Sequence, residues 1–228
     1  MKLKDVRKNY YLDKKIIRAL DGITLDIDIC KRNVLIGPSA CGKSTLLKAI
    51  GGLIPIDKGK ILKDNLKTSF VFQNPRLLPW LNVRENIAFS MKDKPLYEKI
   101  DRWISIMGLD DFKNAYPSEL SGGMKARVNL ARAFVYPNDF LLMDEPFASL
   151  DQVKKEELEI ELLSYIKKAN TGFLFVSHDL NEALNLGEII FIMKKGKIVS
   201  KLNLAEKSWN YEGLKSYFKK IIGGENEK

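Results

Sequence analysis

The stretch "GPSACGKST", Gly37 to Thr45, constrains this chain more than any other. The apolar run "NVLI" leads into it, and "STLLKAI", with helical spacing, leads out. The segment therefore reads as a glycine-rich turn joining a buried strand to a helix N-terminus. Gly37 and Gly42 let the backbone curl until successive N–H groups converge, and the helix dipole adds positive potential there. Such a concavity seats a phosphate group. Gly37, Pro38, Ser39, Ala40, Cys41, Gly42, Lys43, Ser44 and Thr45 are the expected cradle. In it Lys43 neutralises β- and γ-phosphates, and the Ser44 hydroxyl ligates Mg²⁺.

The rest of the chain supplies the sheet that such a turn needs. "ITLDIDI" alternates apolar and polar residues, as a half-buried strand does. "LKTSFVFQ" reads as another strand. "FLLMD", "GFLFVS" and "EIIFIMK" are continuous apolar runs, the mark of strands buried on both faces. Between them "DQVKKEELEIELLSYIKKA" and "LNEALNL" read as helices, giving a parallel sheet flanked by helices. The paired glycines in "AIGGL" stop the first helix. Strand signal is scarce between Asn86 and Tyr136, where an all-helical lobe is expected. There Leu96, Ile100, Trp103, Ile104 and Met107 share one face of a helix over 95–107.

Two carboxylates, Asp144 and Glu145, close the strand "FLLMD", and ligands bind at that end of parallel strands. Asp144 suits the Mg²⁺ partner of a phosphoryl-transfer site, and Glu145 a general base that activates water. His178 is the one histidine of the chain and follows "GFLFVS", at the same end of the sheet. That location suits a γ-phosphate contact or a water-orienting role. A second glycine-rich helix start, "LSGGM" with Ser121, Gly122 and Gly123, repeats the chemistry of the first. Taken alone it is an ordinary turn before a helix.

In this order the motifs resemble the ATP-binding cassette (ABC) family, the ATPase subunits of ABC transporters, over residues from about 3 to 205. "LSGGM" followed about 20 residues later by the aspartate–glutamate strand is the most specific part of that likeness. The resemblance implies an α/β P-loop NTPase core with a mostly parallel sheet, an N-terminal antiparallel β subdomain and an inserted α-helical subdomain. It implies one domain over 1–228, with the helical lobe at about 76–136 and a disordered tail at 223–228. It also implies roles. Tyr10, or Tyr11, stacks on adenine; Gln73 senses Mg²⁺ and the γ-phosphate; Ser121, Gly122 and Gly123 are the signature; "SLD" at 149–151 is the D-loop. Lys43, Glu145 and His178 are the catalytic set, with ATP as substrate and Ser44, Gln73 and Asp144 serving Mg²⁺. Two such chains pack head to tail in the family, so the second cradle serves the partner's nucleotide.

Two positions depart from the family pattern. Met124 stands where glutamine is common, and Ala40 replaces a frequent glycine. If the backbone needs φ > 0 at Ala40, the strain is of order 1 kcal/mol. Cys41, beside Lys43 at a helix start, sits where a thiol pKa can fall, although a small packing residue is the preferred reading.

"FQNPRLLPWLNVRENI" is similar to cassettes of nitrate, sulfonate and taurine importers, in which a permease helix docks near the glutamine loop. Leu77, Leu78 and Trp80 either line that groove or pack inside the lobe. The resemblance implies a second cassette (a homodimer), an integral-membrane permease and, indirectly, an extracytoplasmic solute-binding protein. The corresponding place is the cytoplasmic face of the membrane, as a peripheral subunit. No apolar run reaches the roughly 20 residues of a membrane-spanning helix, the N-terminus has no secretory signal, and two cysteines fit a reducing compartment. Little sequence follows the last strands, so no regulatory domain is expected. The net charge of +9 decides nothing by itself, although lysines gather in "KKGKIVSKLNLAEKSWNYEGLKSYFKK". No basic block interleaves with stacking aromatics, so no nucleic-acid partner is expected. The alternatives are a soluble single-cassette ATPase without a pore and an inactive cassette, the latter opposed by Glu145 and His178.

Overall fold

The apolar runs form the strands that their patterning demands. A computed structural model describes residues 1–12, 15–63, 65–91, 96–136 and 138–223. The chain divides into two units, Met1–Leu66 with Gly172–Lys228, and Lys67–Thr171.

In the first unit, β1 (Lys2–Leu12), β2 (Lys15–Asp26) and β4 (Lys58–Leu62) make a three-stranded antiparallel sheet in the order β2-β1-β4. β3 (Arg32–Ile36) pairs in parallel with both β7 (Gly172–Ser177) and β8 (Ile189–Lys194). β9 (Lys197–Asn203) runs antiparallel to β8. Residues Val34–Ile36, Phe173–Val176 and Ile190–Met193 are at most 1% exposed, which explains their uninterrupted apolar patterning. Each such side chain contributes roughly 1.5–3 kcal/mol by leaving water. The helices are α1 (Lys43–Ile50), α6 (Leu180–Leu186) and α7 (Tyr211–Gly223). Gly51 caps the C-terminus of α1, as the paired glycines predict. Of the tail expected at 223–228, Gly223 ends α7 and the remainder lies outside the described residues.

In the second unit, β5 (Thr68–Val71) and β6 (Phe140–Asp144) pair in parallel. The other elements are α2 (Val83–Ala88), α3 (Tyr97–Ile106), α4 (Gly122–Val135) and α5 (Gln152–Ala169). No strand lies among the described residues between β5 and β6. Trp103 of α3, Phe134 of α4 and Tyr165 of α5 meet with ring centroids 5.1–5.4 Å apart and tie these helices together. Ile100, Trp103, Ile104 and Met107 form the expected buried face of α3, but Leu96 does not belong to it. Leu96 is the N-cap, 62% exposed, because it precedes the first helical turn and so escapes the 3.6-residue register. Pro95 lies outside the described residues. Among the described residues no helix is long and apolar enough to cross a membrane.

The sheet classes match the α/β expectation: parallel pairings dominate the buried strands, and the antiparallel sheet is N-terminal.

Candidate functional site

Two groups of predicted residues form, one in each unit. In the first unit, Ile36 lies level with Ser177 across the β3–β7 ladder, so Gly37 and His178 leave neighbouring strands at the same C-terminal edge. His178 is exposed there. Lys43 is buried to 7% exposure, and its ammonium donates to the carbonyls of Gly37 at 2.8 Å and Pro38 at 3.0 Å. An ammonium has three N–H groups, so one remains for an anion in the loop. Ser44 and Thr45 follow in the first turn of α1, half-buried.

Both motif glycines are sterically required. A Cβ on Gly37 would sit 2.3 Å from the Met193 carbonyl oxygen and 2.8 Å from Cys41 Sγ. Gly42 has φ 109, and a Cβ there would lie 2.2 Å from the Ala19 carbonyl oxygen. Ala19 is the extra residue of a β-bulge: Lys8 pairs with Leu20 while Asn9 pairs with Arg18. The bulge thus presses the antiparallel sheet onto the phosphate loop. Tyr10 pairs with Ile17, two residues from that bulge, and is 40% exposed; Tyr11 is 72% exposed. The chain near Gly196 adds a brace, its N–H donating to the Cys41 carbonyl at 2.9 Å.

In the second unit, Phe140–Met143 are fully buried and Asp144 is 3% exposed, so a carboxylate closes a dry strand. Val71 lies level with Met143, which brings Gln73 and Glu145 abreast. The Gln73 amide donates to the Glu145 carboxylate at 3.2 Å. Glu145 has φ 45, a left-handed conformation that costs a residue with a Cβ about 1–2 kcal/mol. Strain of that kind clusters where a side chain must be aimed. Ser121 is the N-cap of α4, its Oγ accepting from Met124 N–H at 3.2 Å. Its hydroxyl proton therefore remains available to donate outward. A Cβ on Gly122 would meet nothing within 4 Å, and one on Gly123 would meet the Ser149 carbonyl oxygen at 3.6 Å. The signature thus stands open, beside the expected D-loop, whose Asp151 caps α5 by accepting from Lys154 N–H.

The ABC transporter family matches residues 20–148. The chain belongs to the ABC transporter ATPase family. It is 42% identical over 204 residues to an aliphatic sulfonates import ATP-binding protein of Bacillus cereus, covering 85% of this chain and 81% of that protein. It is 37% identical over 204 residues to a taurine import ATP-binding protein of Rhizobium johnstonii, covering 83% and 78%. A dimeric ATP-binding cassette in a post-hydrolysis state bound to ADP and Pi superposes with a TM-score of 0.83 at 29% identity, covering 89% of this chain and 98% of that one. The ATPase activity expected from the sequence follows from this membership.

The departures of this cassette now have a structural meaning. Ala40 has φ 58, so the strain anticipated from its missing glycine is present. Ala40→Gly should relieve it. The gain, less the extra chain entropy of glycine when unfolded, should be about 0.5–1 kcal/mol in denaturant unfolding. An unchanged or lowered midpoint would mean that the loop relaxes elsewhere. The Ser121 cap uses only the backbone N–H of Met124, so it does not depend on the side chain at that position. Cys41 is 5% exposed, and burial pushes its thiol above the ordinary range, opposed by nearby Lys43. The packing reading of Cys41 therefore holds, and the activated-thiol setting does not. Ala19, Met193 and Gly196, which shape the loop, were not legible in sequence. Only the turn "KKGK" hinted at Gly196, and nothing marked the other two.

Proposed function

We propose that this chain is the ATP-hydrolysing subunit of an importer for sulfonates of the taurine and alkanesulfonate type. The observation that carries the reading is the likeness to aliphatic sulfonates and taurine import ATP-binding proteins over most of their length. It favours an importer subunit over a soluble cassette unlinked to transport. The chain acts as one ABC ATPase domain with its helical lobe at about 76–136.

In this reading Lys43 and the Gly37–Thr45 amides hold ATP phosphates, Tyr10 stacks on adenine, and His178 contacts the γ-phosphate. Glu145, aimed by Gln73, takes a proton from the attacking water. Ser121, Gly122 and Gly123 hold the nucleotide of a second cassette. Closure on ATP and release after hydrolysis turn chemistry into motion, because ATP binds the closed pair better than the open one. Mg²⁺ fits the residues present. Asp144 is a buried carboxylate and Ser44 offers a hydroxyl, both hard oxygen donors. Mg²⁺ typically takes one or two protein carboxylates and completes its shell with phosphate and water. Ser44, Gln73 and Asp144 would serve it, and it would neutralise charge on the β- and γ-phosphates.

The permease partner lands on the second unit in this reading. Asn86, fully buried, accepts from Leu78 N–H and donates to the carbonyls of Leu78, Leu81 and Asn82. This pins the loop so that Trp80 stands 69% exposed, while Leu77 and Leu78 are half-buried. In the same unit Phe70, Phe72, Phe89, Arg132 and Tyr136 border a cleft of about 340 Å³, with Phe89 62% exposed. Exposed aromatics around an apolar cleft fit a docked helix, with the permease engaging a solute-binding protein on its far side.

The test is the ATPase rate of the cassette with and without its permease, repeated for Trp80→Ala combined with Phe89→Ala. The isolated variant should hydrolyse as the wild type does. Its affinity for the permease should fall about 30-fold or more, as expected when one hot-spot aromatic is lost. Unchanged stimulation by the permease would remove this face from the interface. Stimulation that ignores sulfonate-loaded solute receptor while responding to another would remove the sulfonate reading.

A further inference from the structure

α3 and α5 of the second unit border an open cavity of about 240 Å³, and none of the expected nucleotide-binding residues lines it. On α3, Lys99, Arg102 and Trp103 follow the i, i+3, i+4 stripe; on α5, Glu161, Tyr165 and Lys168 share one face at i, i+4, i+7. The floor is apolar: Trp103 is 6% exposed and its ring meets that of Tyr165 at 5.4 Å. The rim holds three cations against one carboxylate. Arg102 and Lys168 are exposed and Lys99 half-buried, so the rim presents a net positive charge around the apolar floor. No ion pair among the described residues engages Lys99, Arg102 or Lys168.

We infer that this cavity binds a small amphipathic organic anion, an apolar body of about one ring bearing a single sulfonate, carboxylate or phosphate head. Size and charge both point there. A cavity of about 150 Å³ admits benzene, so the larger space here takes a ring and a small head. It falls below the roughly 300 Å³ at which drug-sized ligand sites begin, which favours a small ligand. Burial pushes the Lys99 amine down from its ordinary range with no carboxylate to offset it. An anionic head would restore the charge balance, while Trp103 and Tyr165 receive the apolar body.

The experiment is isothermal titration of the full chain with p-toluenesulfonate, alongside neutral p-toluenesulfonamide and inorganic sulfate. The sulfonate should bind, and each control should bind about tenfold or more weakly, because one lacks the charge and the other the ring. Two variants separate this site from the phosphate loop. Lys43→Ala should keep the affinity, whereas Lys99→Gln combined with Lys168→Gln should lose about tenfold or more. The double variant should match the wild type in melting temperature and ATPase rate, which shows that it is folded. Loss of sulfonate binding in Lys43→Ala but not in the double variant would overturn the assignment, as would equal binding of the sulfonamide.

Discussion

Glu145→Gln should bind ATP with undiminished affinity and hydrolyse it about 10²–10⁴-fold more slowly, the span that a positioned general base supplies. The substitution removes little else. Gln keeps the length of the side chain and an oxygen able to accept from the Gln73 amide, so the 3.2 Å contact can persist. The left-handed backbone at φ 45 is no worse for Gln than for Glu. What disappears is the acceptor for a proton from water. With the ligand uncleaved, the closed pair should accumulate. Phosphate release and light scattering in the presence of ATP measure the two effects separately. A variant that turned over normally would show that another group activates the water. One that failed to bind ATP would show that Glu145 shapes the nucleotide seat instead.

The parts of this machine that could be read from sequence are those in which chemistry or burial leaves one solution. "FLLMD" and "GFLFVS" match their strands residue for residue, because every residue in them is buried and the run of apolar side chains is unbroken up to the final Asp144 or Ser177. Gly37 and Gly42 were legible because backbone contacts at 2.2–2.3 Å forbid any Cβ there. Ala40 was legible in reverse, as a residue that the loop strains. β1 was not. Its register shifts around Leu3, Val6 and Lys8 break the two-residue alternation that a strand shows in sequence. Three of the five residues of β4, "KGKIL", are glycine or lysine, and its partner strand rather than its own pattern makes it a strand. α7 buries only Leu214 completely, so its helical stripe is weak. The supports of the phosphate loop were hidden for a different reason. Ala19 acts through its carbonyl oxygen, and Met193 through its carbonyl oxygen at Gly37 and its Cε at Gly42; a carbonyl belongs to every residue type, so no residue pattern announces that contact.

Sharing of each nucleotide between two chains makes the strongest demand on this account, and a mixed dimer tests it. Ser121→Arg places a bulky cation at an open signature, beside a glycine whose added Cβ would meet nothing within 4 Å. Lys43→Ala removes the ammonium held by the Gly37 and Pro38 carbonyls. Each variant alone should leave its homodimer unable to trap ATP. If a site combines the loop of one chain with the signature of the other, a dimer of one Ser121→Arg chain and one Lys43→Ala chain retains one undamaged site. If each chain completed its own site, the same dimer would retain none. Random mixing gives heterodimers in about half of the pairs, hence about a quarter of the wild-type sites. Trapped nucleotide should be counted in a Glu145→Gln background, where slow turnover fixes the complex. Ser121→Ala controls for the helix cap, because it too loses the oxygen that accepts from Met124 N–H, at a cost of about 1 kcal/mol. Its stability loss should match that of Ser121→Arg, while its nucleotide trapping should be damaged less. A mixed population that traps no more ATP than either parent would mean that the second glycine-rich helix start serves its own chain, and the physical reason for two cradles in one polypeptide would be gone.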